Sequence, residues 1–125
     1  MKKFSISFLE KSDISESSRV LSEAMLNGPL HIAIFQGHGE NERKIIENMF
    51  FELLSDLPGI TFLARINRLI VGVMRMKSCS GSKINNECAK TGDVANLEWR
   101  KSYWQNEWAR HDPLEQHWHL GPVGV

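Results

Sequence analysis

Two histidines, His117 and His119, stand just ahead of the apolar run "LGPVGV" at 120–125. Imidazole titrates near neutrality, so a histidine so placed can take a proton from an ammonium group, directly or through water. In extended backbone alternate residues share a side, which points His117 and His119 together and Trp118 away from them. With His111 they make a set of three imidazoles that zinc could accept sterically. The CxxC and HExxH spacings that mark zinc sites are absent, and Cys79 and Cys88 are unhelpfully spaced, so no metal is expected. No Ser or Cys lies in a nucleophile-elbow context.

The run after the histidines carries its own chemistry in the backbone. Pro122 removes one ladder donor and bends the strand, while Gly121 and Gly124 permit close approach. Such a strand is expected to splay from its neighbour and to offer free N–H and C=O groups. An extended ligand with amides could pair with them as though it were another strand. Composition alone favours a core strand with a Pro-Gly bulge.

The elements that position these residues are readable by periodicity. "FSISF" alternates, which predicts a half-buried strand with Phe4, Ile6 and Phe8 on its apolar side. A helix follows, capped by Ser12 or Asp13, with Ile14, Leu21 and Met25 near one face and "NGP" at 27–29 ending it. Residues 30–42 read as a connector. The clearest helix lies over "NERKIIENMFFELLS", where Ile45, Ile46, Met49, Phe50, Leu53 and Leu54 repeat at three and four, and Pro58-Gly59 stops it. "ITFLARINRLIVGVMRMKS" reads as two strands turning at Asn67-Arg68, since Asn tolerates positive φ. Residues 78–96 read as a mobile surface loop. "LEWRKSYWQNEWARHD" reads as a helix pairing Trp99 with Tyr103 and Trp104 with Trp108, and the terminal strand completes the chain.

That order, β-α-α-β-β-(loop, α)-β, together with "RLIVGVMRM" at 68–76 and "LGPVGV" at 120–125, resembles the N-terminal portion of the GNAT N-acetyltransferase superfamily. The resemblance covers 4–77 by order and texture and 119–125 by wording, and it leaves 78–116 unexplained. It implies an α/β (α+β) fold, a mixed and mainly antiparallel sheet with flanking helices, in a single domain over 1–125. It implies transfer of acetyl from acetyl-CoA, as cosubstrate, to a small-molecule or peptide amine. The Val123 N–H would hold the thioester oxygen where charge develops. Backbone groups of Val123, Gly124 and Val125 would pair with pantetheine.

Where the family often keeps a carboxylate base this chain has His119, so His119 is the first candidate for the catalytic base and His117 the second. The connector residues Phe35, Gln36, Gly37 and His38 would help line the acceptor pocket. Trp99, Trp104, Trp108 and Trp118 are candidates to shape it, although a stripe at helical spacing more often serves packing. The family's pyrophosphate loop, Q/R-x-x-G-x-G/A, does not occur in the sequence. The resemblance therefore implies an incomplete domain, truncated before that loop and weak or inactive alone. The alternative is a non-catalytic binding or assembly module that self-associates, or pairs its terminal strand with a complementing chain.

Composition narrows the partners. The chain has 125 residues, 42% hydrophobic and 24% charged, with fifteen basic residues balancing fifteen acidic ones. A broad nucleic-acid surface needs a basic excess, so none is expected. The start is not a signal peptide and no apolar run reaches a membrane span of ~18 residues. A cytoplasmic location with free thiols is expected.

Overall fold

The computed structural model describes residues 3–56, 59–80 and 95–125. Strand β1 (Phe4–Phe8) leads through a 3₁₀ turn at Lys11–Asp13 into helices α1 (Ile14–Met25), α2 (Pro29–Phe35) and α3 (Glu40–Ser55). Strands β2 (Ile60–Ile66) and β3 (Leu69–Cys79) form a hairpin, followed by α4 (Leu97–His111) and β4 (His117–Gly124). The four strands pair antiparallel in the order β1-β2-β3-β4, giving a mixed α/β fold with β1 and β4 at the sheet edges.

Helices α1 and α3 pack together, and α1 lies against β3 and β4. The α1 face turned inward is unusually small: Ser17, Ser18, Leu21 and Ser22 are all fully buried. Short side chains let the helix approach closely, and Ser18 and Ser22 donate their hydroxyls to the carbonyls of Ile14 and Arg19. The approach is closest at Gly124, where an added Cβ would stand 2.9 Å from Leu21 Cδ2 and 3.1 Å from Ala24 Cβ. Arg43 of α3 donates to Ser22 Oγ on α1 and to the carboxylates of Glu40 and Glu47, and the two carboxylates push its pKa up. The core is completed by Ile46, Phe50 and Leu54 of α3, Leu63, Ile70 and Val73 of the hairpin, and Ile34 and Phe35 of α2.

Several expectations hold. Asn67 turns the hairpin at φ 58°. Residues Ile46, Phe50 and Leu54 are the buried stripe of α3, although Ile45 and Phe51 are left exposed. Trp99 and Tyr103 stack with centroids 5.4 Å apart. Asp13 stands at the N-cap of α1 but makes no side-chain cap bond; its carboxylate accepts instead from the Glu10 N–H and from Arg65.

Four expectations need correction. The connector over 30–42 contains helix α2, opened by Pro29: after an extended Gly28, proline's missing donor costs nothing at a first helical position. The expected order of two early helices therefore becomes three. The second correction concerns β1. Its alternation is present, but its polarity is reversed. Phe4, Ile6 and Phe8 are 62%, 60% and 65% exposed. Ser7 accepts from Arg65, which also pairs with Asp13 at 2.7 Å, so a polar stripe runs along the helix-covered side.

Third, β4 does not splay from β3. It stays paired through Gly124, and Gly121 and Pro122 together oppose Arg75 in a bulge, with Gly121 at φ +152°. One extra residue absorbs the bend that proline imposes, so the ladder resumes beyond it. Fourth, the loop expected over 78–96 is in part the end of β3, and its remainder, 81–94 with Cys88, falls outside the described residues, as does Pro58.

The register divides the sheet into two unlike faces. Thr61, Leu63, Val73, Arg75 and Gly124 are buried towards the helices. On the other face Phe4, Ile6 and Phe8 line up with Phe62 and Ala64, then with Met74 and Met76, then with Leu120 and Val123. Phe8 and Phe62 touch across the β1–β2 ladder at a centroid distance of 5.1 Å. Among the described residues nothing covers this second face.

Candidate active site

The sheet's helix-covered side opens, beside the β4 bulge, into a cavity of about 830 Å³. That is ample for a small substrate, since ligand sites commonly span roughly 300–1,000 Å³. His119, Gly121 and Pro122 of β4 form one wall. The C-terminal half of α3 contributes Met49, Phe50, Glu52 and Leu53, with Asp56 just beyond it. The end of α4 supplies Gln105, Trp108 and His111, followed by Asp112, and Met25 and His31 close the remaining side. An apolar floor of Met and Phe is thus edged by three carboxylates and three imidazoles.

Each of these polar groups has a positioning element. His119 lies opposite Lys77 on β3, ahead of the bulge. Its Nε2 would be 3.6 Å from a Cβ built on Gly121, so the ring rests over the glycine. His31 sits in the first turns of α2 and stacks nearly parallel on Phe35, with centroids 6.0 Å apart. Burial disfavours its charged form and pushes its pKa below the ordinary imidazole value. Asp56 follows the last turn of α3 and faces Arg75 at 3.7 Å and Lys77 at 4.0 Å. No lysine or arginine lines the cavity among the described residues, so Glu52 and Asp112 make part of its wall negative, while the charge of Asp56 is offset by Arg75 and Lys77.

The predicted site residues separate. His119 lines the cavity and His117 does not: the His117 ring lies 2.8 Å from the Glu115 carbonyl through Nδ1. Gly124 is glycine because α1 presses on it, which differs from the expectation that its space serves a ligand. The Val123 side chain lies on the opposite, open face. There it borders a hollow of about 280 Å³ with Ile6, Phe62, Ala64, Gly72 and Met74, and Val125 lies beside it. None of Val123, Gly124 and Val125 lines the cavity that His119 enters, and the outer edge of β4 has no strand neighbour.

Of the four tryptophans only Trp108 reaches the cavity. Trp104 packs on the core and meets Tyr103 edge-on at 5.6 Å in place of the expected Trp108, and Trp118 stands on the open face. The connector residues Phe35, Gln36, Gly37 and His38 do not line the cavity; Phe35 is in the core. His31, Glu52, Asp56 and Asp112 were not singled out in the sequence. Their signal was weak, because each reaches the cavity only through helix ends whose placement depends on tertiary packing.

Among the described residues no group of three or more His, Cys, Asp or Glu side chains is arranged to hold a metal ion. None of the described helices is long and apolar enough to cross a membrane. Comparison with protein-family models, with curated proteins and with solved structures found no match for this chain.

Proposed function

We propose that the cavity beside β4 is the acceptor site of a GNAT-like N-acetyltransferase domain, which moves acetyl from acetyl-CoA to an amine. The observation that carries this reading is the coincidence of three features on one strand. A Gly-Pro bulge interrupts β4, the outer edge of β4 is free of a strand neighbour, and His119 enters the cavity immediately before the bulge. A free edge can pair with the two amides of a pantetheine arm. The Val123 N–H, just after the bulge, is the donor assigned to the thioester oxygen.

In this scheme the acceptor arrives as an ammonium, drawn by Glu52 and Asp112. His119 takes one proton from it, and the freed lone pair attacks the thioester carbon. The nitrogen of the tetrahedral intermediate loses its second proton to solvent as the intermediate collapses, the C–S bond breaks, and the CoA thiolate leaves to be protonated by solvent or by the imidazolium. A histidine suits the first step because an imidazole nitrogen can accept a proton and release it again to solvent. The sequence contains no Q/R-x-x-G-x-G/A loop to take the pyrophosphate, so binding is expected to be weak, with Kd near ~1 mM.

The test is calorimetric titration of the full chain with acetyl-CoA and with CoA, followed by detection of free thiol in the presence of primary amines. Saturable binding, mutual competition and amine-dependent thiol release support the reading. No binding of either ligand at several times that concentration, with no thiol release, would end it.

A further inference from the structure

We propose that the open face of the sheet is the interface of a homodimer, in which two copies of this chain stack sheet on sheet. The inference rests on the sheet alone and is independent of the acetyl-transfer reading. Monomers rarely expose a contiguous apolar patch beyond about 300–600 Å². Here Phe4, Ile6, Phe8, Trp118, Leu120 and Val123 are each between 46% and 65% exposed, and with the half-buried side chains between them they present roughly 700–900 Å². A stable two-partner interface buries about 800 Å² on each side, so a second copy supplies matching area without any other component.

Charge points the same way. The register places no Asp, Glu, Lys or Arg among the outward positions Phe4, Ile6, Phe8, Phe62, Met74 or Met76, or on the adjoining β4 positions. The chain as a whole carries no formal net charge. Two identical faces therefore meet without repulsion, whereas a partner selected by charge would find nothing on this face to read.

Shape is compatible with a two-fold axis. Phe4, Ile6 and Phe8 make a proud ridge along one edge, while Ala64 and Gly72 leave a hollow of about 280 Å³ in the centre. An isologous contact requires one patch to hold both ridge and recess, which this one does. Stacked sheets lie about 10 Å apart, close enough for the two sets of side chains to interdigitate.

The experiment is sedimentation equilibrium of the full chain from about 1 to 100 μM. Reversible dimerisation in that range is expected. Ile6→Lys and Phe8→Lys, each in a position already largely exposed, should weaken it at least 100-fold with the far-UV circular dichroism unchanged. Ile45→Lys, on the exposed side of α3, should leave the dimer as it is. Should a face variant unfold, the wild type still decides the matter. Peroxide oxidation of Met74 and Met76 should be slow at high concentration and accelerate on dilution in step with dissociation.

A wild type that stays monomeric at 100 μM overturns the proposal, and binding of that monomer to phosphatidylcholine vesicles would assign the face to a membrane surface. A dimer that survives both lysine variants overturns it in favour of pairing through the β4 edge. Methionine oxidation independent of concentration also overturns it.

Discussion

Replacing Gly124 by alanine tests the closest contact in the fold. The new methyl would meet Leu21 Cδ2 at 2.9 Å and Ala24 Cβ at 3.1 Å. The first distance is far inside ordinary carbon–carbon contact, and Leu21 is completely buried, so it has no free space to swing into. Overpacking of this kind costs about 1–3 kcal/mol. With a urea m-value of roughly 1–3 kcal/mol/M for a small domain, the midpoint should fall by about 1 M.

Leu21→Ala alone should cost more, about 2–5 kcal/mol, because it leaves a cavity. The double variant puts one methyl into the space the other vacates, so its loss should be smaller than the sum, with a coupling of about 0.5–3 kcal/mol. Urea unfolding of the four proteins, followed by tryptophan fluorescence, measures the cycle. A Gly124→Ala protein as stable as the parent, or strict additivity in the double variant, would show that β4 does not sit on α1 as described.

Under conditions where acetyl transfer is measurable, His119→Ala should lower turnover by about 10²–10⁴-fold at neutral pH, while His117→Ala, outside the cavity, should cost much less; equal losses would refute the assignment. Burial lowers the His31 pKa below 6.5, so the folded state binds fewer protons than the unfolded one, and stability should be full above that pH and fall as pH drops through the folded-state value. His31→Gln should flatten the pH dependence of the urea midpoint on the acid side of 6.5, and an unchanged slope would locate the proton uptake elsewhere.

What the sequence disclosed, and what it hid, follows from the range of each signal. Helix α3 was legible because Ile46, Phe50 and Leu54 repeat at every fourth residue over about two and a half turns. Helix α2 was not, since Gly28-Pro29 both closes one helix and opens the next, and its seven residues are too few for a periodic stripe. Alternation in β1 marked two faces but did not say which would be covered; that was decided by Arg65 on the neighbouring strand, which needed Ser7 and Asp13. His119 was found because the strand motif announces itself locally. His31, Glu52, Asp56 and Asp112 converge from the ends of separate elements, and nothing in their spacing declares that convergence.

The reversed polarity of β1 bears on how the chain reaches its native pairing. A shift of one residue along β2 would turn Phe4, Ile6 and Phe8 inward, so collapse driven by oiliness alone favours the wrong alignment. What opposes that slip is the 2.7 Å contact between Arg65 and Asp13, together with the Ser7 hydroxyl, groups that act through direction and charge. Asp13 begins α1, so one of these two contacts lies within the β1–β2 pair and the other forms only with that helix in place. Arg65 thus ties the alignment of the first strand both to its neighbour in the sheet and to the start of the first helix.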